Sequence, residues 1–362
     1  MLVAFRTDAS FEMGSGHLMR CLTLADELVR RGHGCVFAVR CQPGDHSQII
    51  EDSGHELLLL PRINEECESG SGPGHAHWLR GGTDRDVKDF IGALGKRRPQ
   101  WLVVDHYGID SSWEQKARQY CERVMVIDDL ADREHVCDVL LDQNLGKSKA
   151  DYAALVPKNS VVLCGPHFAL LRLEFNRWRE NSLRRKLSMR GNRLLINFGG
   201  VDQNNVTGSV LGALAQCPGA ADLKITVVMG ANAPRLDEVE AQLGQINLNV
   251  ELLTGVSNMA EVMASADLAI GAAGATSWER CCLGLPTLLL VIAENQRIIA
   301  EALCHNGAAL GIFDLKQVPT QLCESLSRLS TQRASLTRHS SRLCDGRGSV
   351  RVADQLNEDN CG

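Results

Sequence analysis

The sequence lacks a positive balance: 38 Lys and Arg against 44 Asp and Glu leave a formal net charge of −6. No global basic field exists to hold nucleic acid or an anionic membrane, so an anionic ligand needs a local site. Long apolar runs are missing too. The most apolar stretch, Cys281 to Ala293, is broken by Gly284 and Pro286 and is shorter than the about 20 residues that span a bilayer. Near the start, Arg6 and Asp8 fall where a signal-peptide core would run, so export by that route is not expected and a cytoplasmic protein is. The 14 cysteines, scattered from Cys21 to Cys361, follow no regular spacing, and the adjacent Cys281 and Cys282 fit no metal or redox template. Free thiols in a reducing compartment are the expectation.

What is present is an ordinary globular composition, 44% hydrophobic and 23% charged over 362 residues. That length exceeds what one core holds comfortably and predicts two domains. Short apolar runs recur along the chain at Leu2–Phe5, Cys35–Val39, Leu102–Val104, Val124–Ile127, Leu194–Phe198, Ile225–Val228, Leu268–Ile270 and Thr287–Ile292. They read as buried parallel strands with room for crossover helices, hence an α/β chain with at least two sheets. A helix from about His17 to Arg31 carries an apolar stripe and stops at Gly32. The glycine-rich stretch from Asn64 to Gly82 reads as a long surface loop. An arginine-dense segment, Leu171 to Arg193, reads as a solvated linker helix and places the domain boundary near residue 190, giving domains 1–190 and 191–362.

In parallel α/β sheets, ligands bind beyond the carboxyl ends of strands. The first candidate there is Gly14-Ser15-Gly16-His17, between strand one and the first helix. Its spacing is not a dinucleotide fingerprint. A histidine in a first helical turn is biased toward the neutral form that a general base needs; His17 is either that base or a buried or capping histidine. Asp8 either orients His17, contacts substrate or serves ordinary turn chemistry. The second candidate is Gly271 to Glu279, where Gly274 and Ala275 permit close approach, Thr276 and Ser277 can cap a helix, and Glu279 suits ribose hydroxyls or simply the helix dipole. Gly200, in Phe198-Gly-Gly-Val-Asp202, and the amide pair Asn295-Gln296 meet the same criterion, or are plain strand-to-helix turns. Asp105-His106-Tyr107 and Asp128-Asp129 add polar clusters. No metal-ligand template, G-x-S-x-G elbow or local Cys/His signature is present, so neither a metal nor another cofactor is expected.

Taken in order, these segments resemble a known family. Arg6-Thr-Asp8 with Met13-Gly-Ser-Gly16-His17-Leu-Met-Arg20, Asp105-His-Tyr107, Ile127-Asp-Asp, Leu141-Asp-Gln-Asn144, Leu171-Arg-Leu-Glu-Phe175, Phe198-Gly-Gly-Val-Asp202, Ala273-Gly-Ala-Thr-Ser-Trp-Glu279-Arg and Glu294-Asn-Gln296 look like blocks of the UDP-sugar hydrolases of pseudaminic acid biosynthesis and related spore-coat polysaccharide proteins. The resemblance covers most of residues 1–310. It implies a MurG-like GT-B fold, two Rossmann-like domains facing each other across a cleft. It further implies metal-independent hydrolysis of UDP-2,4-diacetamido-2,4,6-trideoxy-β-L-altropyranose to UDP and the free sugar, with inversion and cleavage of the anomeric C–O bond, feeding a surface or flagellar glycan. On the resemblance His17 is catalytic, Tyr107 and Asn295 contact the sugar, and Gly274 to Glu279 hold UDP. Phe168 stands where a tyrosine is expected. The rival readings are a MurG-like glycosyltransferase, a non-hydrolysing epimerase and a nucleotide-sugar binding protein without turnover.

Overall fold

The computed structural model of the chain describes residues 1–63, 74–188 and 191–358. Two compact units result: Met1–Leu170 joined by the C-terminal helix Gly348–Glu358, and Leu171–Arg347. All eight expected strands form, because each is a Val/Ile/Leu-rich run that a parallel sheet covered on both faces can bury whole. The strands of the first unit are β1 (Leu2–Thr7), β2 (Gly34–Arg40), β3 (Glu56–Leu60), β4 (Trp101–Asp105), β5 (Arg123–Ile127), β6 (Val139–Asp142) and β7 (Val161–Cys164). They pair in parallel in the order β3-β2-β1-β4-β5-β6-β7. The second unit holds β8 (Arg193–Asn197), β9 (Lys224–Met229), β10 (Asn249–Thr254), β11 (Leu268–Ala272), β12 (Thr287–Leu290) and β13 (Leu310–Ile312), ordered β10-β9-β8-β11-β12-β13.

Both orders reverse direction once, between β1 and β4 in the first unit and between β8 and β11 in the second. A ligand crevice opens at such a switch point, outside the carboxyl ends of the two strands. In the first unit the helix Gly16–Arg30 follows β1 and buries Leu18, Cys21, Leu22, Ala25 and Leu28 against the sheet. It begins one residue before the expected start.

Four expectations are corrected. The domain boundary lies at Leu170–Leu171 rather than near residue 190. The arginine-rich helix Leu173–Ser188 is not a solvated linker but part of the second unit: Arg179 donates to the carbonyls of Cys282, Ser341 and Cys344, and Arg185 pairs with Asp267 at 2.9 Å. Its charge density misled because these cations satisfy carbonyls and a carboxylate that only the fold brings near. The helix Gly348–Glu358 belongs to the first unit, where Val352, Ala353 and Leu356 join the core and Trp101 Nε1 donates to Leu356 O at 3.0 Å. The cysteine reading is corrected at one pair, since Cys217 and Cys323 form a disulfide across a sequence separation of 106, while the ten other cysteines among the described residues are free. Of the expected loop from Asn64 to Gly82, residues 64–73 lie outside the described residues; the rest forms the turn Ala76–Trp78 and the start of helix Gly82–Leu94. Among the described residues no helix is long and apolar enough to cross a membrane.

Candidate active site

His17 and Asp105 meet at the switch point of the first sheet. Asp105 is the last residue of β4 and pairs in register with Thr7 of β1; His17 is the second residue of the helix that follows β1. The connecting segment folds on itself through a Ser10–Gly14 bridge, with Gly14 at φ +73° and its N–H donating to Ser10 O at 2.8 Å. His17 Nδ1 lies 2.6 Å from Asp105 Oδ1. This contact fixes the ring and leaves Nε2 as the nitrogen directed away from the carboxylate. An Nδ1–H donated to Asp105 makes Nε2 the proton acceptor.

Asp105 is wholly buried; it also accepts from Arg20, whose Nε donates to Oδ2 at 2.5 Å and whose Nη2 donates to Oδ1 at 2.6 Å, and from Cys21 Sγ at 3.6 Å. Burial alone would raise the Asp105 pKa, but Arg20 and then His17 outweigh it and hold the carboxyl below its ordinary range. Arg20 sits one helical turn after His17, so both side chains reach the same carboxylate. Its Nη1 also reaches Asp129 Oδ2 at 3.2 Å, and Asp129 accepts in turn from the Tyr107 hydroxyl and from Asn144 Nδ2 at 2.8 Å. The Tyr107 ring stands edge-on to His17, centroids 4.5 Å apart. The two aspartates at the end of β5 thus part company. Asp129 joins this network, while Asp128 is buried against Arg133 at 2.8 Å and accepts from Ala131 N.

Asp8 does not orient His17 and is not placed to touch a ligand. It is 1% exposed, and its oxygens accept from Arg6 at 2.5 and 2.8 Å and from Arg40 N at 2.7 Å, with His106 Nε2 at 3.3 Å. Arg6 and Arg40 are shared with buried Asp86. Asp8 therefore braces the end of β1 from beneath, and the orienting role belongs to Asp105. Gly16 is exposed and opens the helix, with no neighbour within 4 Å of a built Cβ.

In the second unit, the loops after β8, β11 and β12 carry the remaining candidates. Gly200 is exposed; its carbonyl oxygen would lie 2.2 Å from a Cβ built on Gly230, so Gly230 must lack a side chain for the loop to sit there. Asp202, at φ +39°, accepts from Val206 N and Thr207 N at 2.9 Å, which makes it a cap for the next helix. Gly274 lies beside Gln296, whose Nε2 would be 3.8 Å from a Gly274 Cβ and whose Oε1 is buried without a hydrogen-bond partner. Asn295 is exposed, as is Ala275.

Thr276 and Ser277 do not cap their helix as expected. Their hydroxyls accept instead from Arg280, at 3.2 and 3.1 Å, and Arg280 also donates to Ala272 O. Arg280 is buried, among the described residues no carboxylate is bonded to it, and desolvation pulls it down to about 10. Glu279 is half-buried, and desolvation raises its carboxyl to about 7 against the weaker opposing pull of Arg172 and Arg280. Phe168 packs against the first unit's core. Among the described residues no group of three or more His, Cys, Asp or Glu side chains is disposed to hold a metal ion.

Sequence reasoning missed Arg20, Asp129 and Arg280 as partners. Legible signals were the place of Arg20, three positions after His17 on one helix face, and of Asp129, in a polar cluster after a strand.

The sequence profile of the glycosyltransferase family 28 C-terminal domain matches residues 195–356. An uncharacterized protein of Methanocaldococcus jannaschii is 26% identical over 301 residues, 82% of this chain; the chain spans only 57% of that relative's length. The UDP-2,4-diacetamido-2,4,6-trideoxy-beta-L-altropyranose hydrolase of Campylobacter jejuni is 24% identical over 308 residues, covering 85% of this chain and 97% of that protein. Among solved structures, Acinetobacter baumannii MurG covers 99% of this chain and 99% of its own at a TM-score of 0.65 and 16% identity. The chain is an α/β protein of the MurG-like GT-B fold, with one Rossmann-like parallel sheet in each unit.

Proposed function

We propose that the protein is an enzyme acting on a UDP-sugar, and that it hydrolyses UDP-2,4-diacetamido-2,4,6-trideoxy-β-L-altropyranose to UDP and the free sugar without a metal ion, as a step in pseudaminic acid biosynthesis. The observation that carries the reading is the His17–Asp105 pair at a switch point, in a chain similar over most of its length to a hydrolase of that substrate. His17 Nε2 accepts a proton from water as the water oxygen bonds to the anomeric carbon. The bond from that carbon to the diphosphate oxygen breaks, and UDP leaves with the electron pair. Asp105 holds the tautomer and steadies the imidazolium that forms, a role of the kind that makes a positioned base worth roughly 10²–10⁴-fold. Inversion requires base and leaving group on opposite faces of the sugar. The Gly200, Gly274–Thr276 and Asn295–Gln296 loops of the second unit are assigned to UDP and the sugar, with Glu279 accepting from ribose hydroxyls.

The decisive experiment is turnover of the purified protein in oxygen-18 water, with and without chelator. Label in the free sugar and none in UDP is expected in both. Label in a phosphate would sink the mechanism. The match of residues 195–356 to a glycosyltransferase domain favours one rival, a transferase, and a strict requirement for an added acceptor would establish it.

A further inference from the structure

The turn Ala76–Trp78 lies against the first-unit site and has no part in the mechanism above. Its indole stacks on the Tyr107 ring, centroids 5.6 Å apart and planes 18° apart, and stands 6.4 Å from the His17 ring. His75 closes one side, 4.5 Å from Trp78 and 5.4 Å from Tyr107. The turn is docked on the Tyr107 turn rather than merely passing it: a Cβ on Gly108 would meet His75 O at 2.9 Å and Leu79 Cβ at 3.1 Å, and Leu79 is buried. Glu12 fastens it from the other side, its Oε1 accepting from Trp78 Nε1 at 3.1 Å with His77 Nε2 at 2.9 Å.

The polar handles of both stacked rings are therefore spent. The indole N–H goes to Glu12 and the phenol O–H to Asp129. What remains is aromatic surface beside the base, with no O–H or N–H to offer a sugar hydroxyl. Trp101, Trp113 and Trp278 are buried, whereas Trp78 is half-buried, as is Trp178 on the helix Leu173–Ser188 of the second unit.

We propose that Trp78 and Tyr107 form an aromatic shelf beside His17 that selects sugars presenting an apolar face, a deoxy position or an N-acyl methyl, and disfavours sugars with a hydroxyl there. The proposal rests on a UDP-sugar being bound at His17 and names which class of sugar that site takes. A hydroxyl laid on the ring faces loses its water and meets no N–H or O–H donor there, while a methyl gains contact; a single such group is worth roughly 10–200-fold.

The test follows tryptophan emission and kinetics together. UDP-2,4-diacetamido-2,4,6-trideoxy-β-L-altropyranose, UDP-N-acetylglucosamine and UDP alone are each titrated into wild type and Trp78→Phe. The trideoxy sugar nucleotide, and not UDP, is expected to change the emission of wild type, and Trp78→Phe to lose that change. Trp78→Ala is expected to lower kcat/KM for the trideoxy substrate roughly tenfold, mainly through KM, to narrow the preference over UDP-N-acetylglucosamine and to leave inhibition by UDP unchanged. An emission change that persists in Trp78→Phe together with unchanged kinetics in Trp78→Ala overturns the shelf, as does wild-type emission that responds to neither sugar nucleotide. Binding without release of free sugar defeats the hydrolase reading instead, and the emission arm still decides the shelf.

Discussion

Asp105 stands between His17 and Arg20, with one oxygen 2.6 Å from His17 Nδ1 and 2.6 Å from Arg20 Nη2. The arginine keeps the carboxylate ionised in a dry setting, and the ionised carboxylate sets which imidazole nitrogen carries the proton. Neither polar neighbour would be useful alone. Buried without Arg20, Asp105 would tend to take up a proton; without Asp105, His17 Nδ1 would keep only Arg20 Nη2, a donor 3.2 Å away that favours the opposite tautomer.

Replacing His17 by Ala is expected to lower turnover by roughly 10²-fold or more while leaving UDP affinity nearly intact. Asp105→Asn should lose a comparable factor, because the amide can present N–H where Nδ1 needs an acceptor. Steady-state kinetics with UDP inhibition as the binding control measure both. Turnover near wild type in either variant removes that residue from the assigned role.

Glu279 titrates near pH 7 because desolvation raises it from 4.5 to about 7. In the proposed ribose contact the hydroxyls donate to the ionised form, so UDP binding should release a proton below pH 7. The affinity for UDP is expected to climb with pH by up to about tenfold per unit below that value, over and above the slope in Glu279→Gln. Calorimetric titrations of both proteins from roughly one unit below the transition to one unit above it would show it. Parallel profiles would take Glu279 out of the ribose contact.

Lys186 is buried, its ammonium within reach of Ser182 Oγ and the carbonyls of Met263 and Ala264, and burial lowers its pKa from 10.5 to about 7. Between those two values the unfolded chain keeps a proton that the folded chain has lost. Stability contributed at this site therefore rises with pH from about 7 to 10.5 and is least below pH 7. Urea unfolding across that window is expected to show a rise in wild type that Lys186→Met flattens. An equal rise in both would refute it.

The Cys217–Cys323 disulfide closes a loop with a sequence separation of 106 within the second unit. Cross-links of this kind restrict the unfolded chain, and reduction is expected to lower stability by about 2–4 kcal/mol. Urea midpoints with and without dithiothreitol, with Cys217→Ser/Cys323→Ser as control, measure the loss. A wild type insensitive to reductant argues against the bond.

Much of the fold was readable because buried parallel strands write themselves as apolar runs. All eight expected strands form. The five unread ones, β3, β6, β7, β10 and β13, are short or alternate with polar residues, as in Asn249–Thr254. The domain boundary was misplaced because a dense run of arginines looks alike whether it is solvated or satisfied by carbonyls distant in sequence.

By itself, the sequence determined the α/β class, the glycine-bounded helix that starts beside His17, and the polar residues at strand ends. These are local matters of period, turn chemistry and strand termini. Only the tertiary structure decided which carboxylate serves His17. Asp8 is nine positions away and Asp105 eighty-eight, yet β4 lies beside β1 and brings Asp105 to the ring, while Arg6 and Arg40 draw Asp8 beneath the sheet end. Strand order is a long-range choice made by packing, and the partners of each charge follow from it.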